Sequence, residues 1–373
     1  MDFSLTDEQR AIADLAAQIL SDRCTLERLK TVESSDDRYD RKLWGEFAKA
    51  GLLGASLPES VGGSGGGFVE ICLLLGEQGR RVAPIPLLPT VVSAAMPLVR
   101  FGSAEQQQHY LAGVTDGSTL LTAALEEAGT DSRAPVTTAK QEGRLWRLNG
   151  VKLGVPVAHA ATAVLVPART SDGWIGVFIV DPKSPGVGLA RQDTMNWEAQ
   201  CRLELSNVMV APEAVLGSIA AGADILNWIV DRTTVGLCAI ASGVCQEAVR
   251  LTAEYASNRK QFDKPIAMFQ AVGQRMADSY IDNEAVNLTM LQAASRLADD
   301  MPSPKEIETA KYWAAEGGNR IAHAALHIHG GISIDIDYPV HRYFLWLKQI
   351  ECTLGAATPH LVRLGEILAA EPA

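Results

Sequence analysis

Arg259, Phe262 and Gln270 are the residues of this sequence best suited to hold a phosphorylated, aromatic ligand. They lie in the segment NRKQFDKPIAMFQAVGQRMAD (258–278). Arginine offers a planar fork that fits a phosphate or pyrophosphate. Phe262 follows three residues later and can cover an aromatic ring or simply pack. Lys264–Pro265 breaks the chain, and Phe269–Gln270 opens the next helix, where Gln270 can hydrogen-bond a ligand. Taken alone, a surface arginine and a core phenylalanine are the ordinary alternative.

His323, His327 and His329 form a second cluster. Positions 323 and 327 share a helical face, so a metal must be considered. There is no HExxH, and Gly330–Gly331 ends the helix directly afterwards. A backbone turn beside a ligand, with a histidine nearby, is the better reading, and no metal is expected. The glycine-rich stretch at 62–67 follows a helix and a Pro-Glu turn. A dinucleotide loop needs a strand before it and a helix after it inside a βαβ unit, so a structural turn is expected. The six cysteines show no CxxC or zinc-like spacing, which favours reduced, mostly buried thiols in a cytoplasmic protein.

The elements that must position these residues fall in three blocks. Leu5, Ile12, Leu15, Ile19 and Leu20 share a helical face after a start at Thr6–Asp7. Trp44 to Leu53 suggests a second helix, and Phe68 to about Arg81 a long apolar one. Prolines 84, 86 and 89 break the chain. Residues 101–113 then read as a helix capped by Ser103. From about 119 the texture is that of strands: LWRLNGVKL (145–153), ATAVLVPA (161–168), WIGVFIV (174–180) and RLELSNVMV (202–210). Beyond Gly222 the helical period returns, over about 222–257, 268–299, 303–329 and 353–369. The expected fold is α+β and mainly α: a helical domain at 1–118, a β-barrel or sandwich domain at 119–218 and a four-helix bundle at 219–373. A chain of 373 residues with 47% apolar and 21% charged residues can bury such cores. Its net charge of −11 argues against nucleic acid. The start lacks a signal-peptide pattern, the apolar runs are short, and no membrane segment is expected.

The segment at 258–278 resembles the R-x-x-F-G-x-x-I-x-x-F-Q-A motif of acyl-CoA dehydrogenases, with Asp263 where that family usually has glycine. FSLTDEQRAI (3–12), LPESVGG (57–63), LELSNVMVAPEAVLG (203–217) and HIHGGISIDIDYPVHRYF (327–344) resemble further motifs in family order. The resemblance implies FAD-dependent α,β-dehydrogenation of an acyl-CoA thioester. In that chemistry a carboxylate takes the α-proton across the substrate from the flavin.

It also implies an FAD lying between subunits, and the carry-over divides along that line. In the half donated to a neighbour, Arg259, Phe262, Gln270, Gly330 and Gly331 match, while His327 replaces a usual glutamine. In the half that holds a subunit's own flavin, only Glu126, Ala128 and Gly129 remain of T-E-P-x-A-G-S-D. The family's Trp-x-Thr falls on Gly154, Val155 and Pro156. The two usual positions of the catalytic base fall on Leu354 and Thr233, and a helix arginine falls on Thr234. Neither leucine nor threonine can abstract the α-proton. The nearest acids are Asp231, Glu351 and Asp335.

The resemblance therefore implies a heteromeric acyl-CoA dehydrogenase, a heterotetramer with a homologous catalytic subunit whose FAD site this chain completes. The run 261–282 is similar to the smaller subunit of actinobacterial enzymes acting on steroid side-chain CoA esters. Two alternatives stand beside it: an autonomous flavoprotein using Asp231 or Glu351, and a scaffold subunit that binds neither FAD nor substrate.

Overall fold

The computed structural model describes residues 3–371. The chain begins with α1 (Asp7–Arg23), α2 (Leu26–Glu33), α3 (Arg41–Lys49) and α4 (Phe68–Arg80). A π-helical segment, Leu88–Ala95, runs on into α5 (Met96–Phe101), and α6 (Ala104–Leu111) follows. Seven strands come next: β1 (Leu121–Ala123), β2 (Thr138–Glu142), β3 (Leu145–Pro156), β4 (Ala163–Thr170), β5 (Ile175–Val180), β6 (Val187–Gln192) and β7 (Gln200–Val210). Then come α7 (Gly222–Asn258), a two-stranded hairpin of β8 (Lys260–Gln261) and β9 (Lys264–Pro265), α8 (Gln270–Ala298), α9 (Pro304–His329), α10 (Val340–Cys352) and α11 (Ala357–Ala369).

Local chemistry sets many of these boundaries. Thr6 and Ser103 each form a capping box, with Gln9 and Gln106 respectively, so two orphan N–H groups are satisfied at each start. Helix α4 ends at Arg80, and Pro84 and Pro86 lie in the non-helical stretch after it, as expected. Pro89 sits in the first turn of the π-helical segment, where its missing N–H costs nothing. Helix α10 falls where the sequence showed only a motif.

The chain forms two compact units. One holds Val32–Gly67 and Pro84–Thr233. Its sheet has the order β1-β4-β2-β3-β7-β6, with β5 on β4. The seven strands form one curled sheet around a shared core. Its core includes Leu148, Val166, Phe178, Leu203 and Val208, all fully buried. Burying a side chain such as Phe178 contributes roughly 1.5–3 kcal/mol. Among these apolar residues lies one charge pair. The Lys152 ammonium donates to Glu127 at 2.6 Å, and Glu127 also accepts from the N–H groups of Val136 and Thr137. Burial lowers the Lys152 pKa to about 8.

The other unit holds the chain up to Thr31, Phe68–Ala83 and the chain from Thr234 onward. Small residues of α9 (Ala310, Ala314, Ala315, Ala322 and Ala325) let helices approach closely, and Tyr343, Trp346 and Ile350 of α10 are buried. An 18-residue stretch within α7 is long and apolar enough to cross a membrane, but 89% of it is buried in the protein. That is the behaviour of a core helix.

Candidate functional site

Three helix ends meet in the α-helical unit. Near the end of α7, the Tyr255 ring stacks on His329 of α9, with centroids 4.4 Å apart. The Tyr255 hydroxyl donates to the His329 carbonyl at 3.3 Å. The His329 ring is fully used: Nδ1–H donates to the Ala325 carbonyl at 2.8 Å, and Nε2 faces the Tyr338 hydroxyl at 3.1 Å. Burial pushes its pKa below the ordinary value, so the neutral ring is favoured. From α8, Arg275 reaches His327 of α9 at 2.8 Å.

The residues picked from the sequence face outward from this junction. Arg259 directly follows α7, with its N–H still bonded to the Tyr255 carbonyl. Its side chain is exposed and has no hydrogen-bond or ion-pair partner among the described residues. Gln270 is the first residue of α8 and also exposed. No side chain caps that helix and its first turn holds no acid, so its positive end stays open to an anion.

Phe262 and Asp263 form the tip of the β8–β9 hairpin, at φ 52° and 62°. Two left-handed central residues make a type I′ turn, which ordinarily wants Asn-Gly or Asp-Gly. Asp263 tolerates that backbone, which accounts for its standing where glycine is usual. Phe262 does not tolerate it comfortably, yet its ring is 86% exposed, touching Phe269 edge-on at 6.2 Å. It is not a core phenylalanine, because the turn aims it at solvent. The strained backbone thus displays an aromatic ring to solvent.

Gly330 has φ 65° and ψ −141°, a conformation essentially closed to other residues. A Cβ at Gly330 or Gly331 would meet nothing within 4 Å, so the backbone there is open to a ligand. The three histidines part company: His329 is buried, His327 pairs with Arg275, and His323 lies edge-on to Phe344. Among the described residues no group of three His, Cys, Asp or Glu side chains can hold a metal.

Leu354 is buried, with φ 55°, and its carbonyl accepts from His360 Nε2 at 3.0 Å. Lys311 donates to the Ile350 carbonyl just before this turn, and Glu308 and Arg363 face His360. In the other unit Thr233 is buried against the Ser93 hydroxyl at 3.0 Å. The nearby acids are engaged elsewhere. Asp231 is paired with Arg133 at 2.7 Å and Glu351 with Lys348 at 2.6 Å, while Asp335 accepts the Asp337 N–H.

On the sheet, Gly154 lies at a β-bulge between β3 and β7 with φ 57°. Its N–H donates to the Gln192 side chain at 2.8 Å. A Cβ there would come within 3.1 Å of Gln200 Oε1 and 3.5 Å of Glu126 Oε2. Pro156, two residues on, offers no N–H. Sequence reasoning missed Arg275, Tyr255 and Tyr338. Arg275 stands five residues after Gln270, but nothing in spacing alone tells a helix arginine from a surface one.

Residues 6–118 match the acyl-CoA dehydrogenase N-terminal domain and residues 220–366 the acyl-CoA dehydrogenase C-terminal domain. The chain belongs to the acyl-CoA dehydrogenase family. It is 40% identical to acyl-CoA dehydrogenase FadE27 of Mycobacterium tuberculosis over the full length of both. The ChsE4–ChsE5 complex of Mycobacterium tuberculosis contains a chain 40% identical, with a TM-score of 0.95 and complete coverage of both chains. A variant of the Tcur3481–Tcur3483 steroid ACAD contains one 44% identical, with a TM-score of 0.92, covering 97% of this chain and 98% of that one. Acyl-CoA dehydrogenases are FAD-binding flavoproteins. The junction of helix ends fits the phosphate-bearing part of FAD, offering an unpaired guanidinium, an uncapped helix start and open glycine backbone. The sheet does not fit a flavin ring in the same way. Gly154 gives no ring to stack on, its N–H is already used, and polar side chains crowd it.

Proposed function

We propose that this chain is the subunit of a heteromeric acyl-CoA dehydrogenase that completes the FAD site of a homologous catalytic partner and supplies no base of its own. One contrast carries the reading. Arg259, Phe262, Gln270, His327, Gly330 and Gly331 form an intact, solvent-facing set, whereas the sheet side ends in Gly154 and Pro156. Bound FAD supplies the hydride acceptor for dehydrogenation of an acyl-CoA. Arg259 grips the pyrophosphate with its fork, Phe262 covers an aromatic part, Gln270 and His327 donate hydrogen bonds, and Gly330–Gly331 allow close approach. On this reading residues 219–373 supply the donated half and residues 119–218 form a sheet that carries no flavin.

The base reading is supported by chemistry. Leu354 and Thr233 occupy the two positions, and Asp231 and Glu351 hold ion pairs. These pairs weigh against an autonomous enzyme. The likeness to chains in the two complexes named above supports a heteromeric partner, and the steroid ACAD likeness supports a steroid-linked acyl-CoA as substrate. The heterotetramer and the side-chain CoA ester are the form of that reading we propose.

Flavin spectra of the isolated chain and of the co-expressed pair test this. The pair should be yellow and the isolated chain nearly colourless. A yellow, active isolated chain would establish the autonomous reading instead. A partner subunit that holds the same flavin content without this chain as with it would leave this chain a scaffold.

A further inference from the structure

We infer that Arg275 is a positioning residue, which fixes the proton of His327 on Nε2 so that this nitrogen donates to the cofactor. The inference rests on the reading that His327 faces FAD bound in trans. The Arg275 Nη1 lies 2.8 Å from His327 Nδ1. A guanidinium has only donors, so Nδ1 accepts. The ring proton must then sit on Nε2, which leaves a donor on the far side of the ring.

The geometry leaves Arg275 available for this work. It lines a cleft of about 500 Å³ between α8 and α9 with Asp278, Asp282, Arg320 and His323. Asp282, the buried carboxylate of that cleft, is gripped by Arg320 through two bonds of 2.8 and 2.6 Å. Arg275 has no ion pair with it or with Asp278 among the described residues. The need for such a partner follows from the side chain at 327. An amide carries donor and acceptor at fixed ends and has only to rotate. An exposed imidazole divides between two tautomers, one of which presents the wrong atom. Substituting histidine for the glutamine usual at this place creates a choice, and Arg275 makes it.

FAD titration of the flavin-stripped heteromer, followed by flavin fluorescence, tests this across four variants. Arg275→Met should weaken FAD binding by about three- to tenfold, the worth of one hydrogen bond. In the His327→Gln background the same change should cost less than about twofold, because glutamine has no tautomer to fix. Equal losses in both backgrounds would make Arg275 a structural or purely electrostatic residue and overturn the inference, as would no loss in either. Arg259→Ala separates the two levels of the argument. If it leaves FAD affinity unchanged, the in-trans reading itself fails. If it weakens binding while the Arg275 losses are equal or absent, only the positioning role fails.

Discussion

The Leu354 carbonyl is held by His360 Nε2 at 3.0 Å while Leu354 itself sits in the left-handed region at φ 55°. A branched apolar residue rarely adopts that backbone. Here Lys311, Glu308, Arg363 and His360 hold the turn from the adjoining helices. On the proposed reading this is the turn where many relatives carry a base, and the side chain it presents here is an isobutyl group. Leu354→Ala should destabilise the chain by about 2–5 kcal/mol, the cost of a buried truncation. Turnover per assembled heteromer should stay within about twofold. Urea unfolding and steady-state kinetics on the same preparations read both; a kcat that collapses in assembled, flavin-replete enzyme would place Leu354 in the machinery after all.

Asp231→Asn and Glu351→Gln should each leave kcat essentially unchanged. Their carboxylates are held by Arg133 and Lys348, and removal of a true general base costs about 10²–10⁴-fold. A loss of that size in either variant, with flavin and assembly intact, would show that this chain carries the base.

Much of this account is legible in the sequence because it rests on residue type and order. The helix–strand–helix succession follows from periodicity, whereas the choice of Arg259, Gln270 and the 330–331 turn as site residues comes from the family resemblance and not from spacing alone. What could not be read depends on backbone conformation or on partners distant in sequence. The left-handed turn that turns Phe262 outward has no sequence mark, since Phe-Asp is a poor type I′ pair. The pairing of Arg275 with His327 joins residues 52 apart. The π-helical form of the segment that starts beside Pro89 has no mark in the sequence either.

Phe262→Ala separates a binding residue from a packing one. Its ring is 86% exposed, so the isolated chain should keep its stability within about 0.5 kcal/mol. FAD affinity of the heteromer should fall. A large loss of stability in the isolated chain would mean that the ring packs after all.

Lys152 and Glu127 form an ion pair whose side chains are 0% and 2% exposed. Lys152→Met leaves a buried carboxylate with two backbone donors but no counter-charge. It should cost about 3–5 kcal/mol, and Lys152→Met with Glu127→Gln should recover part of that. The midpoints of urea unfolding decide it, and a double variant no more stable than the single one would contradict the account.

Acid should weaken the fold through His329. Its folded pKa lies below the ordinary 6.5 because burial penalises the charged ring, against the pull of the Ala325 carbonyl. Between 6.5 and that lower value the unfolded chain binds more protons, so stability falls as pH falls through the window and then levels off. His329→Gln should flatten this part of the stability–pH curve. An unchanged slope would assign the acid sensitivity elsewhere.

The most direct test of FAD completed in trans is the FAD affinity and flavin content of an Arg259→Ala heteromer. Loss of a charge-assisted contact to pyrophosphate, worth roughly 1.5–3 kcal/mol, should weaken binding by about ten- to a hundredfold. The purified heteromer should be pale and should regain colour and activity with excess FAD, while Arg259→Lys should recover only partly because a point charge cannot reproduce the fork. An Arg259→Ala heteromer with normal flavin content and normal FAD affinity would contradict the central claim.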